Sequence, residues 1–135
     1  MELHALVSFL SEVERPDFKA GDVAPSREDA PGVWTMPYVQ YSDTVEKLVQ
    51  AAYDHGLVLR DFDWAKWAST KVARSLRDDE AALATATPEQ LARLLTVLIR
   101  QDRFAEGTLL DAFESGLILR ILRRAAKCCE ARPDP

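Results

Sequence analysis

A mainly α-helical (α+β) domain is the fold class that this chain predicts, and three observations predict it. Apolar residues recur every three or four positions over most of the length, as on one face of a helix. Capping residues and breakers bracket several of those stripes. Only Val33–Tyr41 is rich in β-branched and aromatic side chains, which makes it the one convincing extended segment. With 135 residues, 47% of them hydrophobic and 29% charged, the chain suits one globular domain over 1–135. Five to six helices are expected, with one small β-hairpin or extended segment near residues 18–41.

Leu3, Leu6, Val7 and Leu10 set the first helical stripe, which Val13 extends and Pro16 stops. Residues 16–32 hold Pro16, Gly21, Pro25, Pro31 and Gly32 and read as a loop, in which Phe18–Asp22 has the makings of a short edge strand. Pro37 confines the 33–41 segment to an edge or a bulge. A lone strand leaves its backbone groups unpaired, so a hairpin with the 18–22 region is expected. Asp43 and Glu46 have the form of a capping box, starting a helix through Val45, Leu48, Val49 and Ala52 that ends at His55-Gly56. Asp63 caps a helix carrying Trp64, Trp67 and Ala68, and Asp79–Ala84 suggests a further turn or two. Thr87-Pro-Glu-Gln90 combines an N-cap, a proline at the first helical position and a glutamine three residues after the cap. Leu91, Leu94, Leu95, Leu98 and Ile99 then trace a core-facing stripe. Thr108–Phe113 and Leu117–Lys127 follow, as one long helix or as two meeting at Ser115-Gly116, where small residues would admit another backbone.

The stretch from Arg100 to Arg120 carries the densest chemistry. Arg100, Asp102, Arg103 and Glu106 lie at helical spacing, and on a continuous helix they would form a solvated face whose opposite-sign pair contributes only about 0.2–0.5 kcal/mol. Gly107 and Gly116 speak against that, because each would cost roughly 1 kcal/mol relative to alanine inside a helix. The expected arrangement is a helix that ends near Asp102 and turns at Gly107. Arg100 or Arg103 then makes a forked pair with Glu106 or Glu114 where two helices meet. The competing reading is a polar cluster that faces a ligand or partner, with Tyr38 and Tyr41 on the nearby strand rim. Trp34, Phe62, Trp64 and Trp67 complete an aromatic group expected mainly to bury area, with a partner patch as the other use.

Several function classes lack support. A net charge of −5 argues against nonspecific binding to nucleic acid or to an anionic membrane. The basic row Arg120, Arg123, Arg124 and Lys127 keeps one alternative open, a helix-turn-helix-like DNA binder built from segments 88–102 and 108–127. Cys128 and Cys129 are adjacent, a poor geometry for a relaxed disulfide, and read as free thiols in a reducing compartment. No zinc-ligand spacing exists, His4 and His55 stand apart, and Asp61-Phe-Asp63 is weak as a metal motif because Asp63 serves as a cap. No metal or cofactor is therefore expected. The N-terminus has no basic leader, and the longest apolar runs fall far short of the about 20 residues that span a bilayer, so a cytoplasmic location is expected.

Three segments, Met36-Pro-Tyr-Val-Gln-Tyr-Ser42, Arg103-Phe-Ala-Glu-Gly107 and Leu109-Leu-Asp-Ala-Phe-Glu-Ser-Gly116, followed by Ile118, Ile121, Leu122 and Arg124, together resemble a bacterial family known as domain of unknown function 6508. The order and spacing of all three agree, and the resemblance covers most of the chain. The chain departs at Ala105, where relatives are expected to carry cysteine often, so thiol chemistry would not transfer. The resemblance implies fold boundaries and a bacterial cytosolic setting, without a mechanism. The function expected is a noncatalytic protein-interaction or small-ligand-binding module. Its partner would be an unidentified protein or small ligand, with a homodimer among the options. The main alternative is an enzyme that uses Arg100, Arg103, Glu106 and Glu114 for acid–base or phosphate-ester chemistry.

Overall fold

The computed structural model describes residues 2–130. It begins with two single turns, α1 (His4–Val7) and α2 (Leu10–Val13), where the first stripe predicted one helix. The break has a local cause: Ser8 Oγ donates to Ala5 O at 2.9 Å, offering the backbone an alternative to the next helical bond.

A β ribbon follows. Strand β1 (Gly21–Ala24) pairs antiparallel with β4 (Tyr38–Tyr41), Gly21 opposite Tyr41 and Ala24 opposite Tyr38. Nested between them, β2 (Glu28–Ala30) and β3 (Val33–Trp34) form a second antiparallel pair with an irregular register between Glu28 and Ala30. The small β element near 18–41 is therefore present, but the inner partner of β4 is 21–24 rather than 18–22. Met36-Pro37 divides the extended segment in two, since proline has no N–H to add to a ladder.

Helix α3 (Asp43–Asp54) starts one residue earlier than predicted. Ser42, in an extended backbone conformation, is the cap and accepts from Val45 N–H at 3.4 Å, while Asp43 is already helical. Asp63 caps α4 (Trp64–Ala68) as expected, accepting from Lys66 N–H at 3.1 Å. Helix α5 (Lys71–Asp78) is absent from the sequence reading. Only Ala73 and Leu76 of it are buried, too thin a stripe to register, and Thr70 caps it. Asp79 caps α6 (Glu80–Ala84). Both halves of the Thr87–Gln90 capping box form at the start of α7 (Pro88–Asp102).

The last two elements are separate helices, α8 (Thr108–Glu114) and α9 (Leu117–Glu130). Between them Gly116 has φ +85°, a region that L side chains resist. A Cβ there would meet nothing nearer than Arg120 Nη1 at 3.4 Å, so backbone angle, and not a close backbone approach, calls for glycine.

Helix α7 is the centre. Leu91, Ala92 and Leu94 to Ile99 are all buried, and α9 lays Ile118, Ile121, Leu122 and Ala125 in the same core. Each such leucine or isoleucine contributes about 1.5–3 kcal/mol by leaving water. Among the described residues the buried core is aliphatic except for Thr96. The hydroxyl of Thr96 accepts from Leu59 N–H at 3.0 Å and lies 2.7 Å from Ala92 O, which ties the loop after α3 to the central helix. Among the described residues no aromatic ring is fully buried, but Phe9, Phe18, Tyr41, Tyr53, Trp67 and Phe113 pack against this core, so the area-burying expectation is met in part for Phe62, Trp64 and Trp67. All three are half-buried, with Phe62 and Trp67 5.8 Å apart and the Arg93 guanidinium 5.4 Å above the Phe62 ring. No helix among the described residues is long and apolar enough to cross a membrane.

Candidate functional site

The charged stretch after α7 meets the β ribbon. As predicted, α7 ends at Asp102 and the chain turns at Gly107, whose φ of +99° only glycine adopts without strain. Gly107 is also the N-cap of α8 and has no side chain to satisfy that helix's first N–H groups. Asp102 replaces it from a distance. Its Oδ1 accepts from Gly107 N–H and Leu109 N–H, both at 3.1 Å, placing a carboxylate at the positive end of α8.

Tyr41 on β4 completes the joint. Its hydroxyl donates to the same Asp102 oxygen at 2.8 Å and accepts from Leu110 N–H at 3.1 Å. One phenol thus joins the ribbon to the end of α7 and the start of α8. Burial, followed by the adjacent Asp102 carboxylate, raises the Tyr41 hydroxyl above the ordinary tyrosine value and keeps it a proton donor. Beside it, Glu106 accepts from Val39 N–H through Oε1. That N–H is on a strand edge without a neighbouring strand, so Glu106 closes the edge of β4.

The arginines do not take part in this joint. The forked pair expected between Arg100 or Arg103 and Glu106 or Glu114 is not formed among the described residues. Arg103 turns to α3, where it donates to Tyr53 Oη at 2.9 Å with its guanidinium 5.9 Å from the Tyr53 ring centroid. Arg100 is half-buried, and its Nε has no hydrogen-bond partner among the described residues. Glu114 is exposed at the rim of a cavity of about 240 Å³ between β1 and α8, floored by Phe18, Leu110 and Phe113. No hydrogen bond or ion pair among the described residues links any two of Arg100, Arg103, Glu106 and Glu114. All three bonds to Asp102 go to Oδ1, two from backbone N–H groups and one from a phenol, which makes the joint a capping network and not a salt-bridge clasp.

Beyond the joint the ribbon projects from the helical body. Residues 25–34 are all exposed, and so are Met36, Pro37 and Tyr38. Val33, Trp34 and Met36 are 57%, 62% and 81% exposed. Thr35 stiffens the projection. Its N–H donates to Arg27 O at 2.8 Å, its Oγ1 accepts from Arg27 N–H at 3.1 Å, and its carbonyl accepts from Ser26 Oγ at 2.7 Å. Of the predicted site residues, Tyr38 lies on this surface, while Tyr41, Asp102 and Glu106 lie in the joint beneath it. Val33 and Met36 are not among the site residues the sequence singles out, although a signal exists for Val33. Val33 and Trp34 are consecutive on β3 and so point to opposite faces, of which a two-stranded ribbon can bury only one, whereas Met36 lies between β3 and β4.

The basic row of α9 is engaged with other parts of the body. Arg120 faces Glu80 at 3.6 Å, Arg123 faces Glu14 at 3.8 Å, and Arg124 Nε donates to Ala86 O at 2.9 Å. Cys128 and Cys129 are half-buried free thiols. Among the described residues no three His, Cys, Asp or Glu side chains come together in a way that could hold a metal ion.

No curated protein matches the chain, and no solved structure does. The sequence pattern of a family of unknown function (DUF6508) matches residues 1–131, and the chain, with its Tyr41–Asp102 joint and projecting ribbon, belongs to that family.

Proposed function

We propose that this protein is a noncatalytic interaction module of a bacterial cytosol, and that its contact surface is the outer part of the β ribbon. The observation that carries the reading is the concentration of exposed apolar side chains there: Val23, Val33, Trp34, Met36 and Tyr38 all belong to residues 21–41. Isolated exposed apolar residues are ordinary, but a cluster on a projecting element marks a contact surface. Trp and Tyr are the residues that most often dominate binding energy. The Thr35 bonds hold the cluster in one conformation, which lowers the ordering cost of binding a partner. Arg27, Glu28 and Asp29 supply a polar rim, with Arg27 and Asp29 paired at 3.2 Å.

The test is a selection of random displayed peptides on the wild-type protein, counter-selected on a Trp34→Ser/Met36→Ser double variant. A recurring motif that binds wild type and loses at least about tenfold in affinity on the variant supports the reading. Motifs that bind both proteins equally, or no enrichment at all, end it. Light scattering across a concentration series reads out whether a second copy of the chain occupies the same surface.

A further inference from the structure

A second concavity lies on the opposite kind of surface. Between α2, α6 and α9 the surface of the body carries an open hollow of about 650 Å³, within the volume range that small-molecule sites occupy. Its apolar lining includes Leu10, Ala84 and Ala126. Arg120, Arg123, Arg124 and Lys127 line the opening together with Glu80 and Glu130, so the rim carries four cations against two carboxylates. The methylene stems of these side chains extend the apolar wall while their heads stay at the mouth.

The cations are held loosely by their acidic neighbours. Arg120 is 3.6 Å from Glu80, Arg123 is 3.8 Å from Glu14 and Lys127 is 3.7 Å from Glu130, each beyond hydrogen-bond distance. The surface pair Arg93–Glu89, at 3.0 Å, shows what a closed pair looks like in the same protein. Arg124 is anchored through Nε to Ala86 O at 2.9 Å, which leaves its two terminal nitrogens available to an acceptor, while Arg120 Nη1 donates to Ser115 O at 3.5 Å. In a chain of net charge −5, a rim on which four cations outnumber two carboxylates is a local positive exception.

We propose that this pocket binds an amphipathic organic anion, a carboxylate or phosphate head on a hydrocarbon or aryl body. The head sits among Arg123, Arg124 and Lys127, and the body lies on Ala84, Ala126 and Leu10. An inorganic anion would leave the apolar lining wet, and an uncharged hydrocarbon would leave the cations without a new partner. Nucleic acid fits poorly for the same reason, since a phosphate backbone offers nothing to the apolar lining. The inference goes beyond the ribbon reading and stands independently of it.

The experiment is a titration of the full chain with octanoate, octylammonium and inorganic phosphate, followed by calorimetry and by backbone amide shifts. Octanoate is expected to bind saturably at millimolar concentration or below and to shift amides of α6 and α9. Phosphate should bind at least about tenfold more weakly and octylammonium not saturably. Ala84→Trp, which fills the hollow from an exposed position, should weaken octanoate by about tenfold or more. Arg123→Gln/Lys127→Gln should weaken it by about three- to tenfold while leaving the fold intact. Trp34→Ser/Met36→Ser should bind octanoate as wild type does, which separates this site from the ribbon. The proposal is overturned if octanoate does not saturate below about 10 mM, if octylammonium binds equally well, or if Ala84→Trp binds like wild type.

Discussion

The helical body and the β ribbon treat apolar side chains in opposite ways. In α7 a run of leucines, with Val97 and Ile99, is sealed beneath the surrounding helices. On the ribbon Val33, Trp34 and Met36 face solvent on a two-stranded scaffold. The body has several layers to close over its stripes, whereas a ribbon one strand pair wide has no second layer. The contrast teaches where stability resides and, on the proposed reading, where a partner would bind. Removing apolar area from the body should unfold the protein, and removing it from the ribbon should leave the fold intact while abolishing contact.

The comparison can be broken most sharply in the core. Leu95→Ala, at a fully buried position of α7, is expected to cost about 2–5 kcal/mol, read as a large fall in denaturation midpoint with an unchanged slope. If Leu95→Ala cost no more than a surface change, α7 would not be the centre of the fold.

The joint comes next. Asp102→Ala leaves Gly107 N–H, Leu109 N–H and the Tyr41 hydroxyl without their common acceptor, at an expected cost of about 2–3 kcal/mol. Tyr41→Phe should cost about 1 kcal/mol, and the double variant should cost less than the sum, because both changes break the same network. Strict additivity in that cycle would show the two groups to be uncoupled.

Gly107→Ala places a side chain at φ +99° and is expected to cost about 1–2 kcal/mol by chemical denaturation, although Val39 Cγ2 at 3.8 Å leaves the added methyl room. A neutral result would mean that the turn relaxes. Titration probes the same region without substitution. Since folding raises the Tyr41 hydroxyl above its unfolded value of about 10, its contribution is fully present below that pH and is lost as pH rises toward the folded value. Melting temperatures taken from about pH 8 to about pH 11 should fall more steeply for wild type than for Tyr41→Phe, and parallel curves would remove the phenol from the account.

The smallest stability effect is expected on the ribbon. Trp34→Ser should change unfolding free energy by no more than about 0.5 kcal/mol. A loss of several kcal/mol would show that the tryptophan packs against something, and the division between body and ribbon would fail.

Some of this architecture was written plainly along the chain and some was not. Thr87, Pro88 and Gln90 announced α7, because a capping box joins residues three apart and needs no tertiary neighbour. Gly107 and Gly116 marked their turns for a similar reason, since a residue that fits a left-handed backbone is poor in a helix. Helix α5 stayed hidden because only two of its side chains are buried. Asp43 was mistaken for a cap because Ser42 and Asp43 are both good capping residues, and backbone angle alone separates them.

Near the charged turn the chain told which residues mattered but misled about their partners. Asp102, Glu106 and Tyr41 were candidates from their chemistry, and all three lie in the joint. The guanidiniums of Arg100 and Arg103 looked like natural mates for carboxylates a few positions away, yet Arg103 reaches Tyr53 on another helix. Spacing along one helix predicts pairs only while the helix continues.

The amino-acid order by itself determined the helical class, the central helix with its cap, the glycine turns and the location of the extended segment. Each rests on interactions within a few residues of one another. The tertiary structure alone decided that Asp102 would cap α8 and hold Tyr41, that Glu106 would close the edge of β4 and that the ribbon's apolar side chains would remain uncovered. Those outcomes depend on which distant groups reach one another first in space. A carboxylate offered backbone N–H groups at a helix start and a buried phenol gains more than it would from a solvated arginine nearby in the chain.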